Sequence, residues 1–463
     1  MTKILHNAVI TTGESSRPGA LSIKNGVIET IIYKDDEGYD AFIASCDDKE
    51  DLGGRTLLAG GIDAHVHFRE PGMTHKATFA SESAAALRGG VTSVIDMPNT
   101  NPPTTTGEHL NDKLRMAGTS SQVNYGFHIG ATNSNLPEIQ RLIKERPQDF
   151  GAIKVFMGSS TGDMLVDDGG TLSQLFRITD KPVFIHSEDE SIIRSNLAAA
   201  KAEYGDDIPI RLHEDIRSRT ACIKSTIKAL EMAMRYGTRL HILHVTTKEE
   251  VEMIRTAKGY NPYITAETSA NYLWFSDEDY DRLGTRIKCN PAVKTAADRE
   301  ALRSALKDGI IDTIGSDHAP HLIEEKERPY TSAPSGVPSI GESLPALLTI
   351  AKQCDIPLTR IASVFSERIA SILGIEDRGV IAPGYAADFT VVNPDASATV
   401  GKPHYLCGWS PYEGETLTGI VEGVYLGGEK VIGPSGRAVS SRPRSSQLRF
   451  RPTGSSTESQ SRE

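Results

Sequence analysis

The chain has 463 residues, room for up to three domains at about 150 residues each, although single barrels often run past about 200. Hydrophobic residues make up 38% and charged residues 24%, proportions that exclude a mostly disordered chain. The net charge of -11 lacks the basic footprint of a general nucleic-acid binder.

No apolar run approaches the length of a membrane span, so no membrane partner is expected. Met1–Ile10 has no basic region followed by a long apolar stretch, so no signal peptide is read there. Cys46, Cys222, Cys289, Cys354 and Cys407 are odd in number and form no CxxC pair. That pattern predicts free thiols and a cytoplasmic location.

In chain order, Lys3–Thr12, Ala20–Ile23 and Val27–Tyr33 are short β-like runs, with Asn25-Gly26 marking a hairpin. Eight further candidate strands follow: Gly61–Val66, Val91–Met97, Val123–Ile129, Ala152–Met157, Pro182–His186, Arg239–Val245, Pro262–Glu267 and Ile311–Ser316. Between them lie amphipathic helical runs such as Lys76–Arg88, Glu214–Tyr236, Lys248–Ala257 and Ala297–Lys307. Strands alternating with helices imply βαβ units and a parallel sheet. The repeat and length predict an α/β chain, a (β/α)8 TIM-like barrel over 57–377, with an open doubly wound sheet as the alternative. Phe389–Val392, Gly419–Tyr425 and Val431–Ile432 return to the β texture, with Gly427-Gly428 as a turn. Residues 1–56 and 378–435 are therefore expected to form one small β-sandwich domain built from both termini. The segment 436–463, rich in Ser, Arg, Thr and Pro, is expected to be disordered.

The candidate strands place the polar residues together. His65 and His67 end the first strand, Lys154 lies in the fourth, His186 ends the fifth, His244 lies near the end of the sixth, and Asp317 follows the eighth. In a barrel, the carboxyl ends of all strands meet on one rim. Each residue alone has an ordinary explanation: strand-end histidines are often satisfied polar groups, and Asp317 could form a turn. Together they predict a metal centre. Imidazole and carboxylate donors suit zinc, with iron, manganese or cobalt as alternatives. Five such ligands exceed one tetrahedral site, so two ions sharing ligands are expected, roughly 3.5–4 Å apart around a bridging hydroxide. Lys154, flanked by Ile153 and Val155-Phe156, is expected to be buried and to lose its proton readily. Its neutral amine could add CO2, giving a carbamate that bridges both ions.

Gly61-Ile62-Asp63-Ala64-His65-Val66-His67-Phe68-Arg69-Glu70-Pro71-Gly72 resembles the first-strand signature of dihydroorotases, in the cyclic amidase group of the amidohydrolase superfamily. Asp96-Met97-Pro98-Asn99-Thr100, Ile153-Lys154-Val155-Phe156, His241-Ile242-Leu243-His244-Val245 and Gly315-Ser316-Asp317-His318-Ala319-Pro320-His321 are similar to further family motifs. Ala382-Pro383-Gly384-Tyr385-Ala386-Ala387-Asp388 resembles the return into the small β domain. The resemblance implies reversible ring closure of N-carbamoyl-L-aspartate to L-dihydroorotate in pyrimidine synthesis. It implies that His65, His67, Asp317 and the Lys154 carbamate hold one zinc, and the same carbamate with His186 and His244 the other. Asp317 is then the catalytic proton carrier, and Arg69, Asn99, Asn290 and His321 contact the substrate. A homodimer is the candidate assembly.

Allantoinases and hydantoinases (dihydropyrimidinases) share these ligands and give the alternative activity. Arg69 favours dihydroorotase, because a guanidinium forks onto a carboxylate. One motif departs: Ala270-Asn271-Tyr272-Leu273 stands where many dihydroorotases have Pro-His-His-Leu. A non-catalytic scaffold of the same superfamily is the remaining reading, but such proteins usually lose metal ligands. Gly158–Gly162 and Ser332–Gly341 are candidate lid loops.

Overall fold

The computed structural model describes residues 2–158, 164–439 and 444–451. The N-terminal strands are β1 (Thr2–Thr11), β2 (Ser16–Lys24), β3 (Val27–Tyr33), β4 (Lys49–Asp51) and β5 (Thr56–Ala59). Asn25 and Gly26 turn β2 into β3 with φ of 54° and 81°, the two positive values a type I′ hairpin needs.

From β5 the chain passes Gly60 directly into β6 (Gly61–Val66). A Cβ at Gly60 would lie 2.2 Å from Thr92 Oγ1, so glycine lets this junction pack against the Thr92 side chain. The parallel strands continue as β7 (Val91–Asp96), β8 (Asn124–Phe127), β9 (Ile129–Gly130), β10 (Ile153–Phe156), β11 (Val183–His186), β12 (Leu240–Ile242), β13 (Thr265–Thr268) and β14 (Thr313–Ile314). They form two arcs, β6-β7-β8 and β9 to β14 in chain order. Only His128 separates β8 from β9, so the expected third strand is divided between the arcs. At the far side, Val66 pairs in parallel with His318, just beyond β14. Every residue of β6, β7, β10, β11 and β13 is buried, as expected of parallel strands covered by helices. The covering helices have defined starts: Thr78 and Ser81 cap Phe79–Arg88 reciprocally, and Thr247 and Glu250 cap Lys248–Lys258.

The last strands, β15 (Phe389–Thr399), β16 (Thr416–Leu426) and β17 (Glu429–Ile432), return to the first sheet. The expected sandwich is instead one hydrogen-bonded sheet, ordered β17-β16-β15-β5-β1-β2-β3, with β4 on β1. The reason is β5, which pairs in parallel with β1 and antiparallel with β15, joining the two terminal groups. Residues 57–59 consequently belong to this sheet rather than to the parallel arcs.

The expectation of disorder from residue 436 onward fails for 444–451. Leu448 N–H donates to Tyr125 O at 2.8 Å, and Phe450 N–H donates to Gln148 O at 3.1 Å. Both side chains are fully buried with Ile95, Phe184 and Leu373. Two apolar residues two positions apart suffice to dock a short extended segment, and an average over a Ser- and Arg-rich tail hides them. Phe450→Ala is therefore expected to destabilise the protein by about 3–5 kcal/mol, read from denaturant unfolding. An unchanged unfolding midpoint would mean that the segment is not docked in solution.

Candidate metal centre and active site

The carboxyl ends of the parallel strands open on a cavity of about 600 Å³. All ten residues singled out in the sequence line it: His65, His67, Arg69, Asn99, Lys154, His186, His244, Asn290, Asp317 and His321. Arg69, His244 and Asp317 have φ of 64°, 38° and 49°, left-handed values that cost energy in a non-glycine residue. Such strain collects where side chains must be aimed.

His65 Nδ1 lies 2.6 Å from Glu267 Oε1, and His67 Nδ1 lies 2.8 Å from Asn99 Oδ1. Both Nδ1 atoms face acceptors and so carry the ring proton. Each Nε2 is then a lone pair, and both point at Asp317 Oδ1, at 3.3 and 3.1 Å. The ligand atoms of these three residues all lie within 4.8 Å of one another. Burial pushes the His67 pKa down to about 4, so the ring is neutral. Asp317 Oδ1 adds a carboxylate donor beside the two Nε2 atoms. Three lone-pair donors converging without a proton between them are a group that could hold a cation.

A second pair adjoins it, with the rings of His65 and His244 5.3 Å apart. His186 Nε2 lies 2.7 Å from Glu188 Oε2, and its Nδ1 faces His244 Nε2 at 3.0 Å. Burial lowers both pKa values, keeping the rings neutral. Among the described residues the buried His244 Nδ1 has no hydrogen-bond partner. Lys154 sits in β10 with its Nζ 4.6 Å from the Phe156 ring centroid, and burial lowers its pKa to about 7. Its amine is thus substantially neutral near physiological pH. The donor set and its protonation states fit divalent metal ions.

Across the cavity, Arg69 is buried, and its pKa falls to about 10 through desolvation. It donates to Pro320 O at 3.1 Å and to His321 Nε2 at 3.0 Å. Among the described residues no acidic side chain pairs with it; neighbouring Glu70 instead caps the Phe79 N–H at 2.8 Å. His321 also contacts Lys76 Nζ at 3.0 Å. The Asn290 Oδ1 is buried without a partner among the described residues.

Two residues near the motifs stay outside the site. Asn271 is not in the cavity wall; its Oδ1 accepts from Tyr412 OH at 3.0 Å and its Nδ2 donates to Ser339 Oγ at 3.3 Å. His318 is buried against Glu82 at 2.7 Å and is structural. The sequence reading missed Glu267, Glu188 and Arg217 behind the histidines, and Lys76 and Lys288 in the wall. Only Glu267 had a signal, as the final residue of a candidate strand. Of the lid candidates, 159–162 lie outside the described residues. Ala333–Gly336 do line the cavity, and Lys288 Nζ ties this loop by donating to Tyr330 O and Ala333 O, both at 2.6 Å.

The five cysteines are unpaired, and no helix among the described residues is long and apolar enough to cross a membrane. The profile of the amidohydrolase family matches residues 56–431. A dihydroorotase from Methanosarcina acetivorans is 34% identical over 423 residues, covering 89% of this chain and 88% of its own. An allantoinase from Streptomyces avermitilis is 31% identical over 457 residues, covering 95% of this chain and 99% of its own. The solved structure of an L-hydantoinase from Arthrobacter aurescens superposes with a TM-score of 0.90 at 26% identity, covering 97% of this chain and all of its own.

Proposed function

The chain belongs to the amidohydrolase family, and from that premise we propose that it is a dihydroorotase, interconverting L-dihydroorotate and N-carbamoyl-L-aspartate. It is a metal-dependent cyclic amidohydrolase, like the relatives it resembles. The observation that carries the narrower reading is Arg69, a buried guanidinium facing the cavity without an acidic partner among the described residues. Dihydroorotate brings a carboxylate to that position; allantoin and hydantoin have none.

In this reading zinc is the metal. His65, His67 and Asp317 would hold one ion, His186 and His244 a second, and Lys154, as its carbamate, would serve both. Such ions, when bound, supply a water acidified to a pKa of about 7 and a Lewis acid for the scissile carbonyl. The chain supplies the rest. Arg69 forks onto the substrate carboxylate, and the free Asn290 Oδ1 accepts an N–H of the ring or ureido group. Asp317 Oδ1 takes a proton from the attacking water and passes it to the leaving ring nitrogen. Glu267 and Asn99 keep the proton of each first-strand imidazole on Nδ1, so each Nε2 lone pair is available to the ion. We further propose that the two parallel arcs close as a (β/α)8 barrel through the Val66–His318 pairing, and that the enzyme is cytoplasmic.

Allantoin or hydantoin opening is the second reading. It is favoured by Asn271, whose polar atoms are committed to Tyr412 and Ser339 where dihydroorotases often present histidine. Ring-opening assays with dihydroorotate, allantoin and hydantoin side by side separate the two. The highest kcat/KM is expected for dihydroorotate; a preference for either uncharged ring would overturn the assignment.

Lys154→Ala is expected to lose bound metal and activity, with partial recovery on adding short carboxylic acids. In the metal-free wild type, CO2-dependent reconstitution should quicken as pH rises through about 7, where the amine loses its proton. Unchanged metal content in the variant, or reconstitution indifferent to CO2, would remove the carbamate.

A further inference from the structure

Glu188 and Arg217 are not explained by substrate binding or proton transfer. Glu188 is completely buried, and its Oε2 receives both His186 Nε2–H, at 2.7 Å, and the Arg217 guanidinium. A buried ion pair is a poor source of net stability, since desolving both charges costs about what their attraction returns.

The backbone around it is fixed from three sides. Met157 N–H donates to His186 O at 3.1 Å, and Asp189 N–H donates to Ala221 O at 3.0 Å. A Cβ at Gly158 would come within 2.2 Å of Glu188 O, so that side is closed as well. Between these anchors Ser187 Oγ meets Thr226 Oγ1 at 2.9 Å. The backbone that carries both the carboxylate and the ring it touches is therefore held on several sides.

We propose that Glu188, anchored by Arg217, is a positioning residue for the second cation: it holds the His186 proton on Nε2 and so presents the Nδ1 lone pair beside His244 Nε2. This rests on the two-ion reading above. Glu267 does the equivalent for His65, with the nitrogens exchanged, so each cation position has its own buried carboxylate behind one imidazole. Carboxylates of this kind orient and strengthen a metal-bound histidine, and losing one typically weakens metal binding by about 10–100-fold.

The test is zinc stoichiometry and affinity in the full-length protein, with Glu188→Gln and Glu188→Ala beside wild type. Glutamine keeps an oxygen that accepts from His186 Nε2–H, whereas alanine leaves none. Wild type is expected to hold two ions, Glu188→Gln two with the weaker bound about 10-fold less tightly, and Glu188→Ala one. Fewer than two ions in wild type would overturn the two-ion reading itself. Two ions in wild type and two at unchanged affinity in Glu188→Ala would overturn the role of Glu188 alone. Equal loss in both variants would make Glu188 merely the partner of Arg217. If Glu188→Ala does not fold, NMR of wild type loaded with NMR-active cadmium and labelled imidazole nitrogens decides. Coupling of cadmium to His186 Nδ1 is expected, and coupling to Nε2 would overturn the proposal.

Discussion

Asp317→Asn is expected to lower kcat by at least about 10³-fold while the protein stays folded, with an unfolding midpoint within a few degrees of wild type. The two side chains have nearly the same volume, so packing is preserved. What is lost is charge and proton affinity. Asp317 Oδ1 lies 3.3 and 3.1 Å from the Nε2 atoms of His65 and His67, where a cation would sit between them. An amide there can neither accept a proton from water nor return it to the departing nitrogen, and it is a poor partner for a cation. Metal content should fall alongside, so turnover must be compared at saturating zinc. Wild-type turnover under those conditions would remove Asp317 from the proton path.

Arg69→Met should raise KM for dihydroorotate by about 10–100-fold, the worth of a charge-assisted hydrogen bond to carboxylate. Methionine keeps the apolar stem, so thermal stability should change little. The informative control is dihydrouracil, the same ring without the carboxylate. Wild type should open it poorly, and Arg69→Met should handle it no worse than wild type does. Equal loss on both rings would show that Arg69 acts on architecture, through its contacts to Pro320 and His321, rather than on the substrate's charge.

Six of the ten lining residues were legible because parallel strands deliver their carboxyl ends to one place, and Arg69, Asn99, Asn290 and His321 only through the family resemblance. His65 lies at the end of β6 with His67 just beyond it, and His186 terminates β11, so position at each strand end sufficed. The backing groups were not legible in the same way. Glu188 lies in Ser-Glu-Asp-Glu, which reads as the start of a helix; Asp189 indeed caps Glu190–Tyr204, while its neighbour turns inward to an arginine 29 residues on. Asn271, where many dihydroorotases have histidine, has its oxygen bound by Tyr412, 141 residues later in the chain. Partners so distant leave no periodicity to read. Leu448 and Phe450 were lost for another reason, since polar neighbours dominate any average taken over the tail.

Anomalous diffraction at the zinc absorption edge, on crystals of the purified enzyme, bears most directly on the whole scheme. Two peaks about 4 Å apart are expected, one against His65, His67 and Asp317 and the other against His186 and His244. Zinc found only away from these imidazoles would contradict it.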